Sequence, residues 1–384
     1  MKFTVNKADL LSKLTPAMGT VSNKNTITAI EGVLLETLDN GMIRISTYDM
    51  NKGFRAMIAP TSIDREGRFI INAQRLYQAI KVMPEGDITF DINDRLNCEL
   101  TGDNASFSMF AMRGEDFPNL PELVTERGFN VSSEILRKMI SKVSHSIAEQ
   151  DNRPMLCGAF FKISHEAIEV VSCDSYTLSK CRTDCEVGFI NGEDRELSFI
   201  IPGHALGELS KVLSDGGDEP IRFYLSRKHA IINKGDVIFF TRTIDSDYID
   251  YNKIIPKDNH IIVKLNRDRL YSGLERANII AEEKIAGSGR SFVKLNIDNG
   301  YFNLSSSSVN GTVTDEMRCT QLGEAIEIGF NCRFLLNSIK VIDSEELKIT
   351  LKSSTAAITI EPDEKEENFS QFYMILPLRM NEQK

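Results

Sequence analysis

The chain has 384 residues, 41% of them hydrophobic, and a formal net charge of −10. That length exceeds one ordinary core and has room for several domains. The acidic balance argues for a soluble surface and, taken alone, against nucleic acid, a weak exclusion because binding depends on where charge sits as well as on its sum.

Read from the start, Met1-Lys2-Phe3-Thr4-Val5 opens a strand and lacks the apolar run of a signal peptide. No stretch approaches the ~20 apolar residues of a bilayer span. The seven cysteines are irregularly spaced and point to reduced thiols in a cytosol. Cys181-x3-Cys185 with Cys173 nearby lacks the second pair of a structural zinc site, so no metal is expected. A cytoplasmic protein without membrane contact is the expectation.

Phe3-x-Val5-Asn6 with Leu10 beyond it reads as strand, cap and helix, because alternation gives the strand and a side-chain oxygen then caps the helix. Pro16 predicts a kink or early stop in that helix. Residues 32–38, the turn Asp39-Asn40-Gly41 and residues 42–46 carry a hairpin signature. Phe69-Ile70-Ile71-Asn72 then leads into Leu76 and Ile80-Lys81-Val82, an apolar strand breaking into a short amphipathic helix. Linkers are expected near 122–128 and 257–260.

Both motifs return. Phe129-x-Val131-Ser132 with Leu136, and Val263-x-Leu265-Asn266 with Leu270, repeat the opening. Phe199-Ile200-Ile201-Pro202 leads into Leu206 and Ser210-Lys211-Val212; Ile328-Gly329-Phe330-Asn331 leads into Leu335 and Ile339-Lys340-Val341. Lys81, Lys211 and Lys340 fall 130 and 129 residues apart. Self-similarity at so long a period means repeated whole domains. Hairpin patterns recur too, at 159–163 with 168–172 and at 292–297 with 301–305. An α+β fold of three tandem copies follows, with domains at 1–125, 126–256 and 257–384. The acidic run 363–367 reads as a solvated loop.

Six helices are predicted, at 7–22, 73–83, 133–149, 203–213, 267–281 and 332–342. Together they sum to +7, leaving −17 for the rest of the chain. Solvated helix faces commonly carry Lys and Arg, so one basic helix means little; the same bias across repeated domains means more. If these helices line one surface, that surface attracts phosphates through sequence-blind contacts. No aromatic platform for single-stranded bases is interleaved with the charges, which points to duplex.

An enzyme is the main competing reading. His145, His165, His204, His229 and His260 form no metalloprotease or nucleophile-elbow pattern. His204 and Glu208 stand one helical turn apart, as an ordinary exposed pair does. Gly287-Ser288-Gly289 lacks the end of a phosphate loop, and Asp174 has no partner for general-base work. A scaffold that never touches DNA is the other competitor. No catalytic residue and no cofactor are expected.

The residues then carry a resemblance. The opening Met1-Lys2-Phe3-Thr4-Val5, Asp116-Phe117-Pro118-Asn119-Leu120-Pro121, Asp215-Gly216-Gly217, Asp247-Tyr248-Ile249-Asp250-Tyr251 through Ile255-Pro256, Ile328-Gly329-Phe330-Asn331 and Leu376-Pro377-Leu378-Arg379 resemble the bacterial sliding clamp, the beta subunit of DNA polymerase III. The likeness runs from residue 1 to about residue 380, and the order and spacing of its short motifs make it specific. It implies a homodimeric, head-to-tail ring with sheets outside and helices inside, encircling duplex DNA irrespective of sequence. Its partners would be the replicative polymerase, a clamp loader and other proteins with clamp-binding linear motifs.

The resemblance, with the helix charge, makes Lys24, Arg75, Lys81, Arg137, Lys138, Lys142, Gln150, Lys211, Arg269, Arg276, Arg333 and Lys340 the DNA-facing candidates. A peptide pocket is implied at Arg153, Leu156, Gly158, Asp174, Leu178, Lys253, Ile254, Asn331, Phe334, Ile358, Met374, Ile375, Pro377, Leu378 and Arg379. Each Leu, Ile or Met among them could equally be ordinary core. Phe107 and Met109 on an edge strand, and Ile279 and Ile280, are the implied ring contact. The chain departs from the family pattern at Gly203-His204, where basic residues are common, at Ser175-Tyr176-Thr177, at Ile249 and at 381–384.

Overall fold

The computed structural model describes residues 1–22, 27–191, 195–214, 220–281, 292–308 and 311–379. The first repeat supplies β1 (Lys2–Asn6), α1 (Lys7–Ala17), β2 (Gly32–Thr37), β3 (Ile43–Tyr48), β4 (Lys52–Ile58), β5 (Ser62–Arg65) and β6 (Arg68–Asn72). It continues with α2 (Ala73–Val82), β7 (Asp87–Ile92), β8 (Asn97–Gly102) and β9 (Ala105–Arg113). The second supplies β10 (Arg127–Ser132), α3 (Ser133–Val143), β11 (Gly158–Ser164), β12 (Ala167–Cys173), β13 (Thr177–Asp184), β14 (Gly188–Phe189) and β15 (Glu196–Pro202). After these come α4 (Gly203–Ser214), β16 (Pro220–Leu225), β17 (His229–Lys234), β18 (Val237–Arg242) and the single turn α5 (Tyr251–Ile254). The third supplies β19 (Ile261–Asn266), α6 (Arg267–Ala281), β20 (Val293–Asp298), β21 (Tyr301–Ser307), β22 (Thr312–Arg318), β23 (Thr320–Leu322) and β24 (Ile326–Phe330). It closes with α7 (Cys332–Lys340), β25 (Glu346–Leu351), β26 (Ile358–Pro362) and β27 (Phe369–Ile375).

The caps read from the sequence are made. Asn6 Oδ1 accepts from Ala8 N at 3.0 Å, Asn72 Oδ1 from Arg75 N at 3.1 Å, and Ser132 Oγ from Ile135 N at 3.3 Å. Asn266 and Asn331 do the same for Arg269 N and Arg333 N, both at 3.0 Å. Each satisfies an amide that the helix leaves without a partner. Two helices are shorter than their sequence patterns. Past Pro16, α1 ends at Ala17 and tightens into a 3-10 turn at Met18–Thr20. At the end of α3, Ser172 Oγ donates to Val143 O at 2.5 Å, and Ser144–Ser146 form a 3-10 turn. The β20–β21 hairpin turns through Asn299 and Gly300, both at positive φ (50° and 79°), which is why Asn-Gly stands there.

The compact units do not follow the repeats. One takes Met1–Arg137, Gly188–Arg195 and His204–Thr243; the other takes Lys138–Val187, Glu196–Gly203 and Ile244–Lys384. The middle repeat is therefore shared out. Sheet pairing shows why. In the first unit all fourteen strands form one sheet, ordered β14-β10-β16-β17-β18-β4-β3-β2-β6-β9-β8-β7-β1-β5. Its middle-repeat strand β18 pairs antiparallel with β4 of the first repeat, Phe239 opposite Phe54. In the second unit a nine-stranded sheet runs β15-β11-β12-β13-β27-β26-β25-β19-β23, beside a four-stranded sheet β22-β21-β20-β24. There β13 pairs antiparallel with β27, Leu178 opposite Met374.

In the first unit, Leu10 and Leu14 of α1 and Leu76 and Ile80 of α2 are buried with Phe3, Val33, Ile45, Ile71 and Phe90. In the second, Leu270 and Leu274 of α6 and Leu335 and Ile339 of α7 are buried with Val263, Phe302, Ile328 and Ile349. Each such side chain contributes about 2 kcal/mol through burial. The amphipathic spacing seen in the sequence thus fixes which helix faces stay outside.

Candidate protein- and DNA-binding surfaces

A groove wall forms in the second unit around the β12–β13 turn, α7 and the chain after β27. Asp174 Oδ1 accepts from Tyr176 N at 2.9 Å and Thr177 N at 2.6 Å, closing the turn, and Ser175 takes φ +80° inside it. This presents the Tyr176 ring, 53% exposed, stacked on Phe334 with centroids 5.8 Å apart. Leu376 N donates to Tyr176 O at 2.9 Å and Leu378 N to Gly329 O at 2.8 Å, holding the segment after β27 beside that pair. Tyr176, Ile254 and Leu376 are exposed large apolar side chains, the kind that marks a contact surface when clustered.

The implied pocket residues divide into two sets. Phe334, Lys253, Ile254, Pro377, Leu378, Arg379 and Arg153 reach the surface wholly or partly. Leu156, Leu178, Ile358, Met374 and Ile375 are 5% exposed or less and form the packing behind it. Gly158 is also buried, and a Cβ there would meet Ile201 O at 2.5 Å, so close strand packing requires it. Asp174 and Asn331 build the turn and the helix cap, each with its Oδ1 committed to backbone amides.

Sequence reasoning missed Tyr176 and Leu376. Tyr176 lies in Ser175-Tyr176-Thr177, where the chain departs from the family pattern, and Leu376 opens Leu376-Pro377-Leu378-Arg379. An aromatic residue in a two-residue turn was the available signal.

Two cations at this rim, Arg153 and Lys253, are paired. Arg153 donates to Asp151 through Nε at 2.9 Å and Nη2 at 3.0 Å, and to Ser175 Oγ at 2.5 Å. Those bonds hold the Asp151 carboxyl down at about 2. Lys253 pairs with Asp250 at 2.8 Å. Gln150 is exposed and lines an open hollow with residues 151–153.

The DNA-facing candidates divide more sharply. Lys24 lies outside the described residues. Lys142 corrects the expectation: it is 4% exposed and its ammonium binds Val341 O and, at 2.5 Å, Asp343. Its position on the polar stripe of α3 hid a partner nearly two hundred residues away. Lys138 pairs with Glu366 at 2.7 Å and lies 4.1 Å over the Phe369 ring, so the acidic run 363–367 is partly engaged. Arg276 Nε donates to Asp315 at 2.7 Å, and Lys211 pairs with Glu208 at 2.9 Å. Among the described residues, Arg75, Arg137, Arg269, Arg333, Lys81 and Lys340 are exposed with no ion-pair partner, Lys81 lying 5.4 Å over the Tyr77 ring. The +7 of the sequence count thus overstates the free charge, because the partners of Lys138, Lys142 and Arg276 come from outside the helices.

Two sheet edges complete the inventory. Residues 105–110 of β9 pair with β8 on one side only; Phe107 is exposed, Met109 half-buried, and Phe110, which sequence reasoning missed, is 82% exposed. In the second unit β22 is the edge of the four-stranded sheet, Ile279 at the end of α6 is 71% exposed, and Ile280 is half-buried. Among the described residues no His/Cys/Asp/Glu group could hold a metal, and no helix is long and apolar enough to cross a membrane.

Three strand–helix repeats whose helices bury their apolar faces against antiparallel strands, with the exposed Tyr176–Phe334 pair beside the chain after the C-terminal strand, define a clamp-type fold. Family models agree in all three parts: residues 1–121 match the N-terminal, 130–250 the central and 252–379 the C-terminal domain of the DNA polymerase III beta subunit. The chain belongs to that family, the non-catalytic processivity factor of DNA polymerase III. It is 23% identical to the beta sliding clamp of Staphylococcus epidermidis over 389 residues, covering 99% of each. The DNA polymerase III beta subunit structure from Thermotoga maritima aligns at a TM-score of 0.89 and 24% identity, over 99% of this chain and 100% of that one. A Pseudomonas aeruginosa sliding clamp bound to griselimycin aligns at 0.88 and 22%, with the same coverage.

Proposed function

We propose that two copies of this chain close head to tail into a ring around duplex DNA in the cytoplasm and tether a replicative polymerase to it. The observation that carries this is the set of uncommitted cations Arg75, Lys81, Arg137, Arg269, Arg333 and Lys340 on the outer faces of helices whose other faces are buried. Exposed unpaired Lys and Arg bind phosphates without reading bases, as a protein that slides must. Ring closure would pair the open edge of β9 of one copy with β22 of the other and cover Phe107, Phe110 and Ile279. Open apolar edges are otherwise sites of uncontrolled association. Opposite ends of the chain meet in such a contact, so it is heterologous and can close. A clamp loader would open the ring.

Partner proteins would lay a short peptide along Tyr176, Phe334, Ile254 and Leu376, an apolar groove with few polar anchors. The bound ligand of the Pseudomonas aeruginosa clamp supports a ligand site on this fold. The test is retention on circular against linear duplex after loading. A ring stays on the closed circle and is lost from free ends; equal retention on both overturns the reading.

A further inference from the structure

The sheet of the first unit has a second face, away from α1 and α2, and one row on it is electrostatically unfinished. Val33 and Leu35 of β2 pack with the helices, whereas Leu34 joins Tyr48, Ile70, Ile231 and Phe240 on the opposite face. Side chains alternate along a strand, so Glu36 shares that second face with Leu34. Register then places Arg44 and Arg68 on either side of Glu36, and Arg55 directly across from Ser46. Arg44 engages Glu36 Oε2 through Nε at 3.0 Å and Nη2 at 2.5 Å, and Arg68 Nε stands 3.6 Å from Glu36 Oε1.

Arg55 is left over. Its guanidinium lies 5.8 Å from the Phe240 ring centre and, among the described residues, has neither hydrogen bond nor ion pair. Its Nε is buried and, among the described residues, unsatisfied, and so is the Ser46 hydroxyl on the facing strand position. The charged groups that bear on it are Arg44, which opposes its charge, and Glu36, which supports it. Burial and Arg44 together hold its pKa below the usual arginine value. Arg44 and Arg68, both partly exposed, flank the one Glu36 carboxylate, and Arg55 stands on the next strand without a carboxylate of its own; the row carries two positive charges in excess, and the buried Arg55 Nε without a partner is costly. A guanidinium fork with a hydroxyl at its side is the donor set that a tetrahedral oxyanion accepts.

We propose that Arg55, Ser46, Arg44 and Arg68 form a binding notch for a phosphate dianion, either inorganic phosphate or a terminal phosphate ester. Two negative charges balance the notch, and the phosphate oxygens supply acceptors for the Arg55 guanidinium and the Ser46 hydroxyl. Its residues lie on the face of the first unit's sheet opposite the one that packs against α1 and α2.

The experiment is a thermal melt of the full chain at about pH 8, where phosphate is doubly charged. Inorganic phosphate or adenosine 5′-monophosphate is titrated against chloride at constant ionic strength. Wild type should gain about 2–4 °C at saturation, and Arg55→Gln should gain nothing. In chloride alone Arg55→Gln should melt at or above wild type, since it removes an unpaired charge. Ser46→Ala, which keeps the charge, should need several-fold more phosphate for half the shift. A response to the nucleotide alone assigns the ester as ligand, and a response to inorganic phosphate alone assigns the free ion. No gain in wild type with either probe, an equal gain in Arg55→Gln, or a large loss of stability in that variant without phosphate overturns the proposal.

Discussion

Helix α3 and the pair α2 and α7 look alike in sequence, short and amphipathic with two or three cations each, yet their cations have different fates. On α2 and α7, Arg75, Lys81, Arg333 and Lys340 stand free of carboxylates among the described residues. Beyond Arg137, α3 spends its charge internally: Lys142 is swallowed by Asp343 and Val341 O, and Lys138 is held by Glu366. The same region holds His145, half-buried with Nε2 3.1 Å from Ser179 Oγ and 3.3 Å from Ser338 Oγ, while among the described residues its buried Nδ1 has no partner. Helix charge therefore reports binding potential only after the carboxylates from distant segments of the chain have been subtracted.

The comparison can be broken most decisively at the free set. Replacing Arg75, Lys81, Arg333 and Lys340 together with Ala should weaken DNA affinity by about 100-fold and flatten the log–log salt dependence by roughly 3 to 4 in slope. Titration by fluorescence anisotropy at several salt concentrations reads both, and an unchanged slope would remove those residues from the interface.

Acid tests the buried side. Burial pushes His145 from 6.5 down to about 4. The unfolded chain takes up a proton first, so stability is constant above pH 6.5, falls between 6.5 and 4, and levels off below 4. The loss attributable to this group is about 3 kcal/mol. His145→Gln should flatten that segment of a pH series of urea melts; an equally steep loss in the variant assigns it to other groups.

Lys142→Ala should cost about 2 kcal/mol in a urea melt and leave DNA affinity nearly unchanged, since it removes a buried partner of a backbone carbonyl. The reverse pattern would return Lys142 to the DNA surface. Smaller still, Asn331→Ala should lose about 1 kcal/mol through the α7 cap. It should also weaken peptide binding slightly, because Phe334 sits in the capped turn; titration with a labelled partner peptide would read this.

Much of the fold was legible because it rests on local chemistry. Asn6, Asn72, Ser132, Asn266 and Asn331 announce their helices, and Asn299-Gly300 announces its hairpin, each through a bond or a φ angle set within a few residues. What stayed hidden needed partners far along the chain. Nothing near Lys142 signals Asp343, and nothing near Leu178 signals that Met374 lies opposite it. For the implied pocket, family likeness names residues without separating surface from support. Leu156 and Phe334 are equally apolar on paper, and only packing makes one a foundation and the other a wall.

The pairing of β18 with β4 and of β13 with β27 has a consequence for how such a chain can be taken apart. Backbone ladders stitch across both repeat borders, so a cut near residue 125 or 256 does not free a tidy module but tears a sheet lengthwise. A piece ending there would carry a raw strand flank hungry for another ladder. Three look-alike modules, tandem in sequence, share their sheets across both borders, so the repeat that can be read along the chain is not a unit that can be cut from it.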